Sequence, residues 1–259
     1  MELTIALVQM EIAPMNPLKN LARIEEFVAA ASAKGADLVI FPEDAVCGPL
    51  NGQTAFVPHA AEYLVRMQAL AVRHAVDLVP GTWTVADGGL LFNQAHYLNA
   101  DGTLAGIYRK VNLWETERAQ LTPGAAASVF PTRFGRVGMI VCWDLSFPAM
   151  FAAMAAQGAQ LVVAPSFWSF PPKALNSDAL LDDEILLIDA LCTSRAFENN
   201  ILFAYCNAAG TLEPGVGAVL SGRSQLTHPL EKVVAKCDGN AEEVLIAHAR
   251  LAPPAAALP

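Results

Sequence analysis

In Val137-Gly138-Met139-Ile140-Val141-Cys142-Trp143-Asp144-Leu145-Ser146-Phe147-Pro148, an unbroken apolar stretch stops at a cysteine and passes into a polar, proline-marked segment. The pattern predicts a short buried strand feeding the start of a helix, with Cys142 at the turn between them. Backbone N–H groups at such a turn lack intrahelical partners, so they can lower a thiol pKa or hold an oxyanion. Cys142 is therefore a candidate nucleophile. The competing reading is a buried cysteine serving as a small hydrophobe.

The segments on either side repeat one another. Ala33-Lys34-Gly35-Ala36-Asp37-Leu38-Val39-Ile40-Phe41-Pro42 and Ala156-Gln157-Gly158-Ala159-Gln160-Leu161-Val162-Val163-Ala164-Pro165 each contain a helix end, a glycine, a buried strand and a proline. Two helix-to-strand units of this kind predict an α/β fold of two related halves within a single domain, residues 1–259. The apolar spacing of Leu18, Leu21, Ile24, Phe27, Val28 and Ala31 predicts a helix over 16–33, and further helices are expected over about 60–75 and 183–197. Asn99-Ala100-Asp101-Gly102 is turn chemistry between two strands. The segment 218–251 reads as a closing hairpin, and the Pro/Ala-rich 252–259 as a loose or arm-like tail.

Composition narrows the function. A chain of 259 residues that is 54% hydrophobic and 16% charged implies a large buried core. A net charge of −9 without a Lys/Arg cluster argues against a nucleic-acid partner, and the apolar runs are strand-sized, which argues against a membrane. Met1 to Gln9 lacks a basic n-region and a signal-peptide core, so a cytoplasmic location is expected. Cys47, Cys142, Cys192, Cys206 and Cys237 form no CxxC pair and are odd in number. Neither a disulfide framework nor a metal site is expected.

Three further residues carry chemistry. Glu43 follows the buried Leu38-Val39-Ile40-Phe41 strand, where burial would raise its pKa towards that of a general base; it could equally cap a helix or pair with a cation. Lys110, among the aromatics of Tyr108 to Trp114, would favour a thiolate or an oxyanion if buried, and would otherwise be a solvated charge. Glu117 lies in a polar loop between these strands; it either supports the site, with Glu115 as its rival, or makes a surface ion pair. Asp144 reads as a helix cap rather than an acid. Trp114, Phe147, Phe167 and Trp168 flank strand ends and are candidates for an apolar pocket or for plain core packing.

Taken together, Phe-Pro-Glu at Glu43, Tyr-Arg-Lys at Lys110, Glu-Arg-x-x-x-Thr-Pro-Gly from Glu117 and Val-Cys-Trp-Asp around Cys142 resemble the nitrilase superfamily of carbon–nitrogen hydrolases. The resemblance runs from Ala6-Leu7-Val8-Gln9 to Leu251 and includes Arg195-Ala196-Phe197-Glu198-Asn199-Asn200 and Asn207-Ala208-Ala209-Gly210. It implies an α-β-β-α sandwich that dimerises, with Glu43, Lys110 and Cys142 as catalytic trio, Glu117 in support, the Trp143 N–H at an oxyanion and no cofactor. It departs at Asn112, where many members carry His, and at Ser146 and Ala149, where Arg and Glu are common.

The expected activity is hydrolysis of a small carboxamide to an acid and ammonia through a cysteine thioester. Alternatives on the same scaffold are a nitrilase, an N-carbamoyl amidohydrolase and an acyltransferase; a non-catalytic binding module is the alternative of another class, and the intact trio weighs against it. With Ser146 in place of an Arg and an aromatic pocket, neutral amides are expected to be preferred over anionic ones.

Overall fold

The computed structural model describes residues 2–52, 54–170, 178–211 and 219–251, with only the backbone of 178–182. The expected tail at 252–259 lies outside the described residues. Two sheets face one another. The first is built from β1 (Glu2–Gln9), β2 (Leu38–Ile40), β3 (Asp77–Val79), β4 (Thr82–Asp87), β5 (Leu90–Leu98) and β6 (Leu104–Arg109). The second takes β7 (Ser128–Thr132), β8 (Gly135–Met139), β9 (Leu161–Ser166), β11 (Leu202–Asn207), β13 (Gln225–His228) and β14 (Lys232–Lys236); β10 (Ser169–Phe170) and β12 (Val219–Leu220) form a separate two-stranded ribbon. Helices α1 (Pro17–Ala33) and α2 (Ala60–His74) cover the first sheet, α3 (Pro148–Ala156) and α4 (Asp178–Asn199) the second. This is the α-β-β-α sandwich.

Each sheet is centred on a parallel trio with helical crossovers. β1, β2 and β3 pair in parallel, joined through α1 and α2. β8, β9 and β11 do the same through α3 and α4. These are the two related halves that the repeated segments predict. In β1, Leu3, Ile5 and Leu7 point into the core between the sheets, whereas Ala6 and Val8 pack under α1 and α2. Both faces are buried, and the strand therefore reads as a continuous apolar run.

One expectation needs correction. The segment 218–251 is not a closing hairpin: β13 and β14 pair in the second sheet, but β15 (Glu243–Arg250) crosses over and runs antiparallel to β1 on the edge of the first. Alternating hydrophobicity reports that a segment is a strand, not which strand it will pair with.

Candidate active site

Ligand sites in open α/β sheets form beyond the carboxyl ends of the parallel strands. Here those ends lie opposite each other. β2 runs into Pro42-Glu43, and this loop is held on three sides: Phe41 N–H donates to Val79 O (2.8 Å), Glu43 N–H to Ser166 O (3.2 Å) and Asp44 N–H to Thr82 Oγ1 (2.9 Å). Gly81 makes the approach possible. Its φ is +79°, and a Cβ there would stand 1.9 Å from the Pro42 carbonyl oxygen. Lys110 follows β6, and its backbone is clamped by Asn93 O (2.9 Å) and by the Gly124 N–H (2.8 Å). A Cβ at Gly124 would meet Arg109 O at 2.1 Å, which accounts for the glycine of the Thr-Pro-Gly segment. β8 ends at Met139, and Cys142 opens a 3-10 turn (Cys142–Ser146) with a positive φ of 46°, strain that a non-glycine residue bears only where its surroundings enforce it.

The side chains from these three places converge. Lys110 Nζ lies 2.7 Å from Glu43 Oε1 and 2.8 Å from Glu117 Oε2. Glu117 is held by the Trp114 N–H (2.7 Å), whereas Glu115 is exposed. Cys142 stands near enough to Glu43 and Lys110 for both to act on its thiol electrostatically. Asn93, which sequence reasoning missed, donates from Nδ2 to Glu43 Oε1 (2.7 Å) and Glu117 Oε1 (3.2 Å). The polar pair Asn93-Gln94 inside an otherwise apolar strand was its only signal. Lys110 is buried, and its ammonium is paired with both carboxylates.

Burial governs the electrostatics. It raises the Glu43 pKa above 4.5, with Lys110 opposing the rise and Glu117 adding to it. For Lys110, burial alone would lower the value, but Glu43, Cys142 and Glu117 together hold the ammonium well above 10.5. The Cys142 thiol is pushed well above 9.0 by burial and by Glu43, against the pull of Lys110. Burial thus favours the neutral thiol at Cys142, while the neighbouring acidic groups favour the charged form of Lys110.

Asp144 ties two of these elements together. Its carboxylate accepts from the Val141 N–H (3.0 Å), as a cap would, and also from Tyr108 Oη (2.6 Å), the Asn112 N–H (2.8 Å) and Asn112 Nδ2 (2.9 Å). Asn112 therefore buckles the lysine segment to the cysteine turn. Arg195 secures the turn from the other side, donating to Leu145 O (3.2 Å), and Asn207 brackets Trp168 through both its N–H (2.8 Å) and carbonyl (3.2 Å).

Above the cluster opens a cavity of ≈ 600 Å³. Trp114, Phe167 and Trp168 line it, as does Trp143. Phe147 does not line it; the ring sits edge-on to Trp143, 6.4 Å between centroids, just ahead of α3. Asp44, Phe170 and Glu184 are further lining residues without a sequence signal. Of the sequence departures, Asn112 joins the Asp144 network, whereas Ser146 and Ala149 lie off the cavity, with Ala149 exposed. Among the described residues, no group of three His, Cys, Asp or Glu side chains is arranged to hold a metal ion.

The fold and this cluster define a class, a cysteine-dependent enzyme on a four-layer α-β-β-α scaffold. The chain belongs to the carbon–nitrogen hydrolase family, whose model matches residues 4–253. It is 30% identical to a probable nitrilase of Schizosaccharomyces pombe, covering 95% of this chain and 88% of that protein. It is 26% identical to the human omega-amidase NIT2, covering 93% and 86%. Among solved structures it superposes on the amidase from Nesterenkonia sp. AN1, in a form with the acetamide moiety of fluoroacetamide added covalently at the active-site cysteine (TM-score 0.80, 26% identity, 96% of this chain and 90% of that one). The chain is accordingly a carbon–nitrogen hydrolase of the amidase type.

Proposed function

We propose that the protein hydrolyses small carboxamides to the acid and ammonia through a thioester on Cys142. The observation that carries this reading is the Lys110 ammonium seated between Glu43 and Glu117, with Cys142 lining the same cavity beside them. Glu43 takes the thiol proton as sulfur attacks the amide carbon. Lys110 has three N–H donors and spends two on carboxylates, leaving the third for the developing oxyanion, together with the backbone N–H of Trp143. Collapse breaks the C–N bond, and Glu43 returns its proton to the nitrogen, which leaves as ammonia. Water, deprotonated by Glu43, then attacks the thioester; the acid departs and the thiol is restored. Glu117 and Asn93 position the lysine and the base.

A nitrilase is the second reading, and the name of the S. pombe relative favours keeping it. N-carbamoyl substrates, or transfer of the acyl group to an amine, would use the same thioester. Ammonia release across amides, nitriles and N-carbamoyl compounds, with and without an added amine acceptor, separates these. Intact-mass analysis after fluoroacetamide should find a single adduct on Cys142; an adduct on Cys47 or Cys192 would overturn the assignment. We further propose that the enzyme is one domain over 1–259 working as a cytoplasmic homodimer or higher homo-oligomer. No helix among the described residues is long and apolar enough to cross a membrane. Light scattering of the purified protein checks the oligomer, and fractionation the compartment.

A further inference from the structure

The charge inventory of the cavity is unbalanced. Among the described residues its ionisable lining consists of Glu43, Asp44, Glu117, Glu184, Lys110 and Cys142. Lys110 is the only lysine or arginine among the described residues there, and its charge is committed to Glu43 and Glu117. Of the three bases that could bring charge to the cleft, Arg195, Arg223 and Lys173, the first two are spent elsewhere, Arg195 on Leu145 O and Glu198, Arg223 on Asp189 and Asp238 O, and Lys173 lies outside the described residues. Two acidic groups are left over. Burial, with Glu43 and Glu117 beside it, holds the Asp44 carboxyl well above the usual carboxylate range, and its side chain meets the Thr82 hydroxyl. Glu184 is different: it is half-buried on α4, and no cation among the described residues pairs with it.

Glu184 is also fixed in place. Trp168 Nε1 donates to Glu184 Oε1 at 2.9 Å, which sets the carboxylate into the cavity wall. Around it the indoles pack against one another, Trp114 edge-on to Trp143 at 4.5 Å between centroids and Trp143 tilted against Trp168 at 5.4 Å. Indole faces attract cations through the ring quadrupole, by about 0.5–2 kcal/mol depending on desolvation. A carboxylate held by an indole N–H beside such faces is chemistry for an ammonium group. A carboxylate on the substrate would meet repulsion there, and a neutral chain would leave Glu184 without its best partner.

We infer that the preferred substrate is a carboxamide whose acyl chain ends in an ammonium group, seated against Glu184 and the Trp114–Trp143–Trp168 wall. This inference rests on the amidase reading and deepens it. The neutral substrate expected from the sequence becomes an intermediate case, better than an anion and worse than a cation.

The test uses the full-length enzyme and matched sets: 4-aminobutanamide, 5-aminopentanamide and 6-aminohexanamide, the unsubstituted amides of equal length, and the monoamides of the corresponding dicarboxylic acids. At the best length kcat/KM should rank ammonium above neutral above carboxylate, the first step being about tenfold. The ammonium-to-neutral ratio should shrink as salt is raised, because part of the attraction is screened. Glu184→Gln should reduce that ratio towards one. If this variant folds poorly, calorimetric titration of Cys142→Ala with 5-aminopentanamide and pentanamide reads the same preference as binding, with the aminoamide expected to bind more tightly. A ratio of one or below at every length, a salt-independent ratio, equal affinities in the titration, or a full ratio in Glu184→Gln would each overturn the inference. Hydrolysis of all the neutral amides without an ammonium preference would leave the amidase reading standing. Failure to hydrolyse any amide would remove both.

Discussion

The two halves of the molecule share one plan and divide the chemistry between them. In the first, the repeated segment ends at Pro42 and is followed by Glu43; in the second it ends at Pro165 and is followed by Ser166. These equivalent positions meet, since the Glu43 N–H donates to the Ser166 carbonyl. Yet one carries a titratable side chain aimed at the thiol, while the hydroxyl of the other turns back to Ala164 O (3.2 Å). The nucleophile enters from the second half at another point, after β8. A duplicated scaffold thus supplies placement twice, and reactivity depends on single residues at the strand ends.

Removing the nucleophile should have the largest effect on this division. Cys142→Ala is expected to cut turnover by at least about 10³-fold with the thermal midpoint little changed, read by ammonia release and calorimetry. Glu43→Gln should follow at about 10²- to 10⁴-fold, the range for loss of a general base. Its partner position provides the contrast. Ser166→Ala should leave turnover within a few-fold of wild type and cost about 1 kcal/mol of stability, because Ser166 contacts Glu43 through its carbonyl, which the substitution keeps. A large loss of kcat in Ser166→Ala would mean the halves share the chemistry after all.

The wild-type pH profile sharpens the same point. Glu43 must be ionised to act, and burial raises its pKa, so the acid limb of kcat/KM should fall above 4.5. A limb at or below that value would place the base elsewhere. Glu117→Gln should lower kcat about tenfold, equivalent to about 1.4 kcal/mol of lost lysine orientation, while Glu115→Gln stays within about twofold. The reverse order would exchange their roles.

The smallest effect lies away from the site. Asp189 accepts from Arg223, Gln225 and Lys236, tying α4 to β13 and β14. Burial would raise its pKa, but the bonds and charges of Arg223 and Lys236 outweigh it and lower the value below 3.8. A depressed carboxylate stabilises the fold above its unfolded pKa, and that contribution disappears as pH falls through the folded value. Asp189→Asn should therefore be less stable than wild type at neutral pH, with the difference narrowing below pH 3.8 in denaturant titrations.

Much of this was legible in the residues alone. Strands buried on both faces appear as apolar runs such as Leu38 to Phe41 and Leu161 to Ala164, and the repetition of the two segments betrayed the paired halves. Glu43, Lys110 and Cys142 could be singled out because a charge or a thiol at the end of a strand needs an explanation, and Glu117 because it lies in the polar loop between the lysine and cysteine strands.

What the sequence determined by itself was the set of buried strands and helices and the identity of the groups with reactive chemistry, since burial and side-chain type are local properties. Tertiary structure alone decided that β15 crosses to the first sheet, that Phe147 turns away from the cavity and that Asp144 fastens the lysine segment to the cysteine turn. It alone brought Asn93 to Glu43 and set Glu184 against Trp168, 50 and 16 residues apart in the chain. Hydrogen bonds and charge balance act over a few ångströms in space, and only folding sets which distant residues share that space.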